Sequence, residues 1–336
     1  MTRPVIFGCE GTGLSPNEVS FFREVEPLGF ILFQRNCETP EQIKALTDSL
    51  KDLVASEHVP ILIDQEGGRV ARLKPPHWSA YPPMQVFGDM IQNGYEKASE
   101  ALKLNCMLIA DDLRKLGITV NCLPVLDLPQ NDADPIIGDR AFSCDPHLTG
   151  ALGRIVVESL MEGGILPVIK HIPGHGRALV DSHKALPVVD ATVEDLGSHD
   201  FIPFRSLHDA PFGMTAHVTY TALDAEKCAT QSAMIIQTII RDKLGFKGFL
   251  MTDDLSMQAL SGSFAERTRL SLEAGCDIAL HCNGNLLEME QIAGALKPIT
   301  NSMVEEIDEL LLLAARRSKI DRADMEKRYN TIMKAG

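Results

Sequence analysis

Across most of the chain, short apolar runs alternate with longer stretches whose apolar residues recur at helical spacing. The runs occupy 5–11, 30–34, 61–65, 119–126, 166–170, 213–217, 249–253 and 277–281. Each run fits a strand and each intervening stretch a helix. The stretch 40–55 opens after Thr39, whose hydroxyl suits an N-cap, and 95–116, 146–161, 233–244 and 264–274 carry the same spacing. Eight strand-then-helix units within about 290 residues predict an α/β fold, a (β/α)8 TIM-like barrel. The barrel is expected over 4–284, and the remainder, 285–336, reads as a terminal pair of helices packed outside it. No repeat, low-complexity linker or second domain interrupts the pattern, so 1–336 reads as a single domain.

Composition narrows the partners. The 336 residues include 32 Lys and Arg against 46 Asp and Glu, a formal charge of −14. With no Lys/Arg-rich run, that balance argues against nucleic acid or an anionic membrane surface, since both demand clustered positive charge. At 45% apolar the chain has enough material for a large core, which excludes disorder as its dominant state. Nowhere do 18 apolar residues run together, and the opening MTRPVIFGCEG is broken by Glu10 too early for a signal sequence. A cytoplasmic protein is therefore expected. The eight cysteines (9, 37, 106, 122, 144, 228, 276 and 282) are dispersed and form no C-x-x-C pair, so reduced and mostly buried thiols are expected rather than disulfides or a zinc site.

In such a barrel, chemistry sits where strands end and the following loops begin. The third run ends in Asp64-Gln65-Glu66-Gly67-Gly68-Arg69, with Arg72 following, and the fifth in Lys170-His171-Ile172-Pro173-Gly174-His175-Gly176. The seventh ends in Asp253-Asp254, and the loops after the fourth and fifth add Gly138-Asp139-Arg140 and Asp181-Ser182-His183. Charged groups thus converge from at least four strand ends.

These motifs, in this order, resemble those of the glycoside hydrolase family 3 β-N-acetylhexosaminidases of cytoplasmic murein recycling, over 8–284. The resemblance implies a single barrel that removes terminal β-linked N-acetylglucosamine from muropeptide fragments such as GlcNAc-anhydroMurNAc. It implies a retaining mechanism, no cofactor, no metal, and a small carbohydrate as the partner of a monomer. Asp64, Arg72, Arg140, Lys170 and His171 match the family's sugar-binding positions. Ile172 stands where the family usually has Phe, and 128–135 reads as a loop of this chain's own; neither departure falls on a residue with a proposed chemical role.

Retaining hydrolysis requires a carboxylate that attacks the anomeric carbon and a group that protonates the leaving oxygen and later activates water. Asp253 closes an apolar strand and points into the barrel mouth, which suits the nucleophile, while Asp254, on the alternate face, suits a cap for the chain near Ser256. No second carboxylate occupies a comparable place, because Glu66 lies in a Gly-rich turn. His183 fills the vacancy: Asp181, two residues earlier in an extended segment, points the same way and can orient the imidazole. The family assigns acid/base catalysis to this Asp-x-His pair, in a loop expected to close over bound sugar. Lys170 and the arginines are expected to hold the nearby carboxylates ionised and so to keep Asp253 competent as a nucleophile, His175 to pin its loop, and Gly67 and Gly68 to make a tight turn where a side chain would block the sugar.

Four other readings compete. A metal-dependent barrel hydrolase could draw on His171, His175, His183, His217 and His281, but the first strand lacks a His-x-His pair, and Pro173-Gly174 prevents the helix that an i, i+4 zinc pair requires. A Schiff-base lyase would use Lys170. A phosphorylase would put phosphate in place of water on the same scaffold. A sugar-binding barrel without chemistry would have no need of Asp253, Asp181 and His183.

Overall fold

A computed structural model of the chain describes residues 1–54, 58–130, 133–316 and 321–334. Eight strands form a closed, all-parallel barrel in chain order: β1 (Arg3–Gly8), β2 (Pro27–Leu32), β3 (Ile61–Ile63), β4 (Val120–Asn121), β5 (Leu166–Ile172), β6 (Phe212–Thr215), β7 (Phe249–Asp254) and β8 (Ile278–His281). Closure is made by β1 against β8, with Val5 opposite Ala279 and Phe7 opposite His281. Every predicted run contributes one strand, as eight consecutive strand-then-helix units demand.

The helices form where capping chemistry permits. α1 (Pro16–Val25) begins with Ser15 and Glu18 in a reciprocal capping box, and Pro16 sits where its missing N–H is harmless. α2 (Pro40–Lys51) takes Thr39 as its N-cap, as expected, and stops four residues short of the predicted end; Ala55, that end, lies outside the described residues. α3 (Tyr95–Lys115), α4 (Pro146–Glu162) and α5 (Phe201–Ser206) follow. α6 (Ile235–Lys243) has the wider π winding rather than the α-helix predicted over 233–244. α7 (Phe264–Ala274) matches its prediction and carries a second capping box, Ser263 with Glu266.

Two expectations need correction. The run 119–126 is a strand only at Val120–Asn121, because Pro124 has no N–H to give the ladder; pairing with β5 resumes where Val125 faces Lys170. The sequence after residue 285 forms three helices among the described residues, not two: α8 (Leu286–Ala295), α9 (Asn301–Ala315) and α10 (Arg322–Lys334). Asn285 caps α8, which packs beside α7 as the barrel's eighth outer helix. The other two lie outside the strand wall in different ways. α9 buries Ile307, Leu311 and Ala314 against Leu28, Val120, Leu166, Phe212 and Ile278, which stand at or next to strand starts, and so closes the end of the barrel opposite the strand termini. α10 is tied to α3 by Arg322 on Asp111 (2.9 Å), Arg328 on Glu100 (2.8 Å) and the Tyr329 hydroxyl on Asn105 (3.1 Å). No helix among the described residues is long and apolar enough to cross a membrane.

Candidate active site

With one end closed by α9, the carboxyl ends of the strands open on a cavity of about 240 Å³. Asp64, Arg72, Arg140, Lys170, His171, His183 and Asp253 all line it, so seven of the eight singled-out residues converge on one space. Asp181, the eighth, stands behind His183 and accepts from its Nδ1 at 2.8 Å and from its backbone N–H at 2.9 Å.

One wall is a buried ion-pair network. Lys170 Nζ, on β5, reaches Asp64 Oδ1 at 2.8 Å and Glu66 Oε1 at 2.6 Å. Arg72 takes the other Asp64 oxygen at 2.9 Å, and Arg140 grips Glu66 with Nε at 2.8 Å and Nη2 at 2.9 Å. Burial would push both carboxyls up, but these cations outweigh it and hold each below its ordinary value. Burial likewise pulls against the Lys170 ammonium, yet the two carboxylates raise its pKa, so it is no free amine for Schiff-base chemistry. Glu66 is similarly unsuited to give a proton. Gln65 keeps the turn in shape, its Oε1 accepting the N–H groups of Arg72 and Leu73.

Asp253 is served by a different set of groups. Burial raises its carboxyl, while His171, His217, the Asp254 N–H (2.8 Å to Oδ1) and His183 together lower it below the usual value. The expectation that Lys170 and the arginines hold nearby carboxylates ionised holds for Asp64 and Glu66 but is corrected for Asp253, on which histidines and one backbone amide act instead. His217 is held by Thr230 Oγ1 at Nδ1 (2.7 Å) and by the Asp254 carbonyl at Nε2 (3.1 Å), and burial lowers its pKa. Since the carbonyl can only accept, Nε2 carries the proton. Asp254 accepts from Ser256 N–H at 2.9 Å, the capping role expected of it, although the chain there makes a turn rather than a helix.

Asp127 is the residue that the motif reading missed. It is fully buried, accepts His171 Nδ1–H at 2.7 Å and the His175 N–H at 2.6 Å, and is held below its ordinary pKa chiefly by His171 against the effect of burial. With Nδ1 occupied, the His171 Nε2 is the nitrogen left for substrate. The signal was available: Asp127 directly follows the fourth apolar run, at the same strand-end position as the other site residues.

The glycines act differently from expectation. Gly67 and Gly68 have positive φ (99° and 57°), as a tight turn requires, but a Cβ on either would meet Pro82 O at 2.2 Å or Pro83 Cβ at 2.7 Å, not the cavity. The loop 128–135 makes no hydrogen bond to a residue with a proposed chemical role among the described residues, but it braces the segment that follows His175. Its Gln130 and Asp134 N–H groups bond the carbonyls of Gly176 and Ala178, and Arg69 spans from Asp139 to the carbonyls of Pro135 and Ile136. Asn131 and Asp132 of that loop lie outside the described residues. Among the described residues no three His, Cys, Asp or Glu side chains are placed to hold a metal ion, and His281 is engaged by Glu288 at 2.9 Å.

The model of the glycosyl hydrolase family 3 N-terminal domain matches residues 23–311. The chain belongs to glycosyl hydrolase family 3. It is a glycoside hydrolase. A beta-hexosaminidase of Thiobacillus denitrificans is 38% identical over 298 residues, covering 86% of this chain and 81% of the relative. One of Methylobacillus flagellatus is 37% identical over 284 residues, covering 83% and 80%. Among solved structures, NagZ of Neisseria gonorrhoeae in complex with N-trifluoroacetyl-D-glucosamine superposes with a TM-score of 0.85 at 29% identity, covering 98% of this chain and 97% of that one.

Proposed function

We propose that this family 3 hydrolase is a retaining exo-β-N-acetylglucosaminidase that frees terminal β-linked N-acetylglucosamine from muropeptide fragments in cytoplasmic cell-wall recycling. The observation that carries the reading is the shared cavity: an ionised Asp253 with an Asp181-backed His183 in the same space, beside a wall of buried carboxylates and cations suited to sugar hydroxyls. In the first step Asp253 attacks the anomeric carbon while His183 Nε2–H protonates the leaving oxygen; Asp181 stabilises the imidazolium and fixes Nδ1–H. In the second, neutral His183 removes a proton from water, which attacks the same carbon and restores the Asp253 carboxylate. The beta-hexosaminidase relatives and the N-acylglucosamine held by the gonococcal neighbour support an N-acetylglucosaminide as substrate. A cavity smaller than the ~300 Å³ at which drug-sized pockets begin suits one ring, hence cleavage from a chain end. All residues invoked come from one 1–336 unit, so a single-domain monomer suffices.

The test is covalent trapping with a 5-fluoro N-acetylglucosaminyl donor that carries a good leaving group. One label per chain on Asp253, lost in Asp253→Asn, is expected; a label on Asp254 or Glu66 would reassign the nucleophile.

A further inference from the structure

The loop that carries His183 is tied down unevenly. Its first part is bonded through Gly174 N–H to His171 O (2.7 Å), Ala178 N–H to His175 O (3.1 Å) and the Tyr220 hydroxyl to Gly174 O (2.6 Å). From 179 to 186 the chain stands out in solvent: Leu179 is 59% exposed, Leu186 40%, and the His183 side chain 63%. Ser182, between the two dyad residues, is nonetheless buried at 3%. Among the described residues, one hydrogen bond links 179–186 to the rest of the protein, from Ser182 Oγ to His175 Nε2 at 3.1 Å. The other bonds of this segment are internal, such as those of Asp181 to His183 and Lys184.

His175 is a firm anchor. Its ring is buried, its backbone N–H is held by Asp127 at 2.6 Å, and burial together with neighbouring His171 lowers its pKa to about 4. At neutral pH it is an uncharged partner for a hydroxyl. Asp127 also holds the His171 ring, so a single carboxylate fixes both the ring that lines the cavity and the backbone of the residue that docks the loop.

We propose that Ser182 is a positioning residue: with His175 it latches the loop so that the neighbouring His183 imidazole meets the leaving oxygen. This rests on the reading of His183 as acid/base. Among the described residues the latch makes no hydrogen bond to Asp253 or to the ion-pair wall, so its loss impairs proton transfer and leaves nucleophilic attack in place.

Three variants, Ser182→Ala, Ser182→Thr and His183→Ala, are assayed on an unactivated N-acetylglucosaminyl disaccharide and on an activated aryl glycoside, with hydrogen exchange followed over 179–186. Removing one hydrogen bond of ordinary strength predicts that Ser182→Ala loses about fivefold to tenfold more kcat/KM on the disaccharide than on the aryl substrate. Its 179–186 amides exchange faster, its rate of trapping by the 5-fluoro donor is unchanged, and Ser182→Thr, which keeps the hydroxyl, restores the disaccharide rate. Equal losses on both substrates, or none, overturn the latch when His183→Ala still separates the two substrates. If His183→Ala fails to separate them, the acid/base reading falls first and the latch with it.

Discussion

Lys170→Met tests whether the cavity wall is held by charge or merely packed. The Met side chain keeps most of the apolar stem and removes an ammonium that lies 2.8 Å from Asp64 and 2.6 Å from Glu66, with Lys170 2% and Glu66 1% exposed. Breaking a buried pair from one side typically costs 3–5 kcal/mol, because the abandoned charge stays desolvated. Here Arg72 still holds Asp64 and Arg140 still grips Glu66 through two bonds, so the loss should fall near the lower end, about 3 kcal/mol at pH 7. The pH dependence carries the sign. Both carboxyls have folded pKa values below their ordinary ones, so the stability they bring is present above about pH 4 and is lost as pH falls through the folded values. Without Lys170 those folded values rise, and each unit regained by one carboxyl narrows the gap to wild type by about 1.4 kcal/mol at acid pH, where protonation makes the missing cation irrelevant. Urea unfolding of both proteins at pH 7 and at pH values stepped down below 4, with the slope checked for constancy, measures this, the narrowing being expected only once pH passes below the variant's folded carboxyl values. A gap below about 1 kcal/mol at pH 7 would refute the charge argument and leave Lys170 as packing.

Three further outcomes follow from the same geometry. His183→Ala should lower kcat/KM on an unactivated disaccharide by about 10²-fold or more while sparing an activated aryl glycoside, with Asp181→Asn a milder version; equal losses on the two would remove the general-acid role. The acid limb of kcat/KM on the aryl substrate should fall below the ordinary Asp value of about 3.9, because His171, His217 and the Asp254 N–H outweigh burial at Asp253, which must be ionised to attack; an inflection above that value contradicts it. Gly176→Ala should destabilise by at least about 2 kcal/mol in thermal or urea unfolding, since its Cβ would stand 2.0 Å from the Leu128 carbonyl oxygen, and a near-neutral result would show that the loop yields there.

The strands and most of the site were legible because both follow from local pattern. Runs buried on every side must be apolar, and a barrel puts whatever follows them at one end, so the sequence pattern alone brings Asp64, Lys170, His171 and Asp253 together. What escaped depends on contacts between distant segments. No local signal says that Lys170 is shared by Asp64 and Glu66, which lie over a hundred positions earlier in the sequence, and so the charge balance around Asp253 was credited to the wrong groups. The roles of Gly67 and Gly68 went astray for the same reason: the turn is local, but the surface they press on, Pro82 and Pro83, is set by the path of the following segment. The three terminal helices, similar in composition, differ in where they pack, and neither α9 as a floor nor α8 as the last outer helix can be read from their amphipathicity alone.

Whether water or phosphate completes the reaction is decided by the charges left once the sugar is attached. Four Lys and Arg side chains line the cavity, and each has a carboxylate partner: Arg69 on Asp139, Arg72 on Asp64, Arg140 on Glu66, and Lys170 between Asp64 and Glu66. Among the described residues, no lining Lys or Arg is left for an incoming anion. On the proposed mechanism Asp253 is an ester without charge in the second half-reaction, so Asp64, Glu66 and Asp254 are left to balance Arg72, Arg140 and Lys170. A phosphate would give up its hydration for a site that offers it no uncommitted cation, and such an exchange is unfavourable. Water needs only a base, and on the proposed mechanism His183, neutral after giving its proton to the leaving group, is that base. Product analysis by NMR on an aryl N-acetyl-β-glucosaminide, with and without added phosphate, should give the free sugar released first as the β-anomer in both cases. A sugar 1-phosphate that grows with phosphate concentration would show that the cavity recruits an anion in spite of this balance, and the enzyme would then be a phosphorylase.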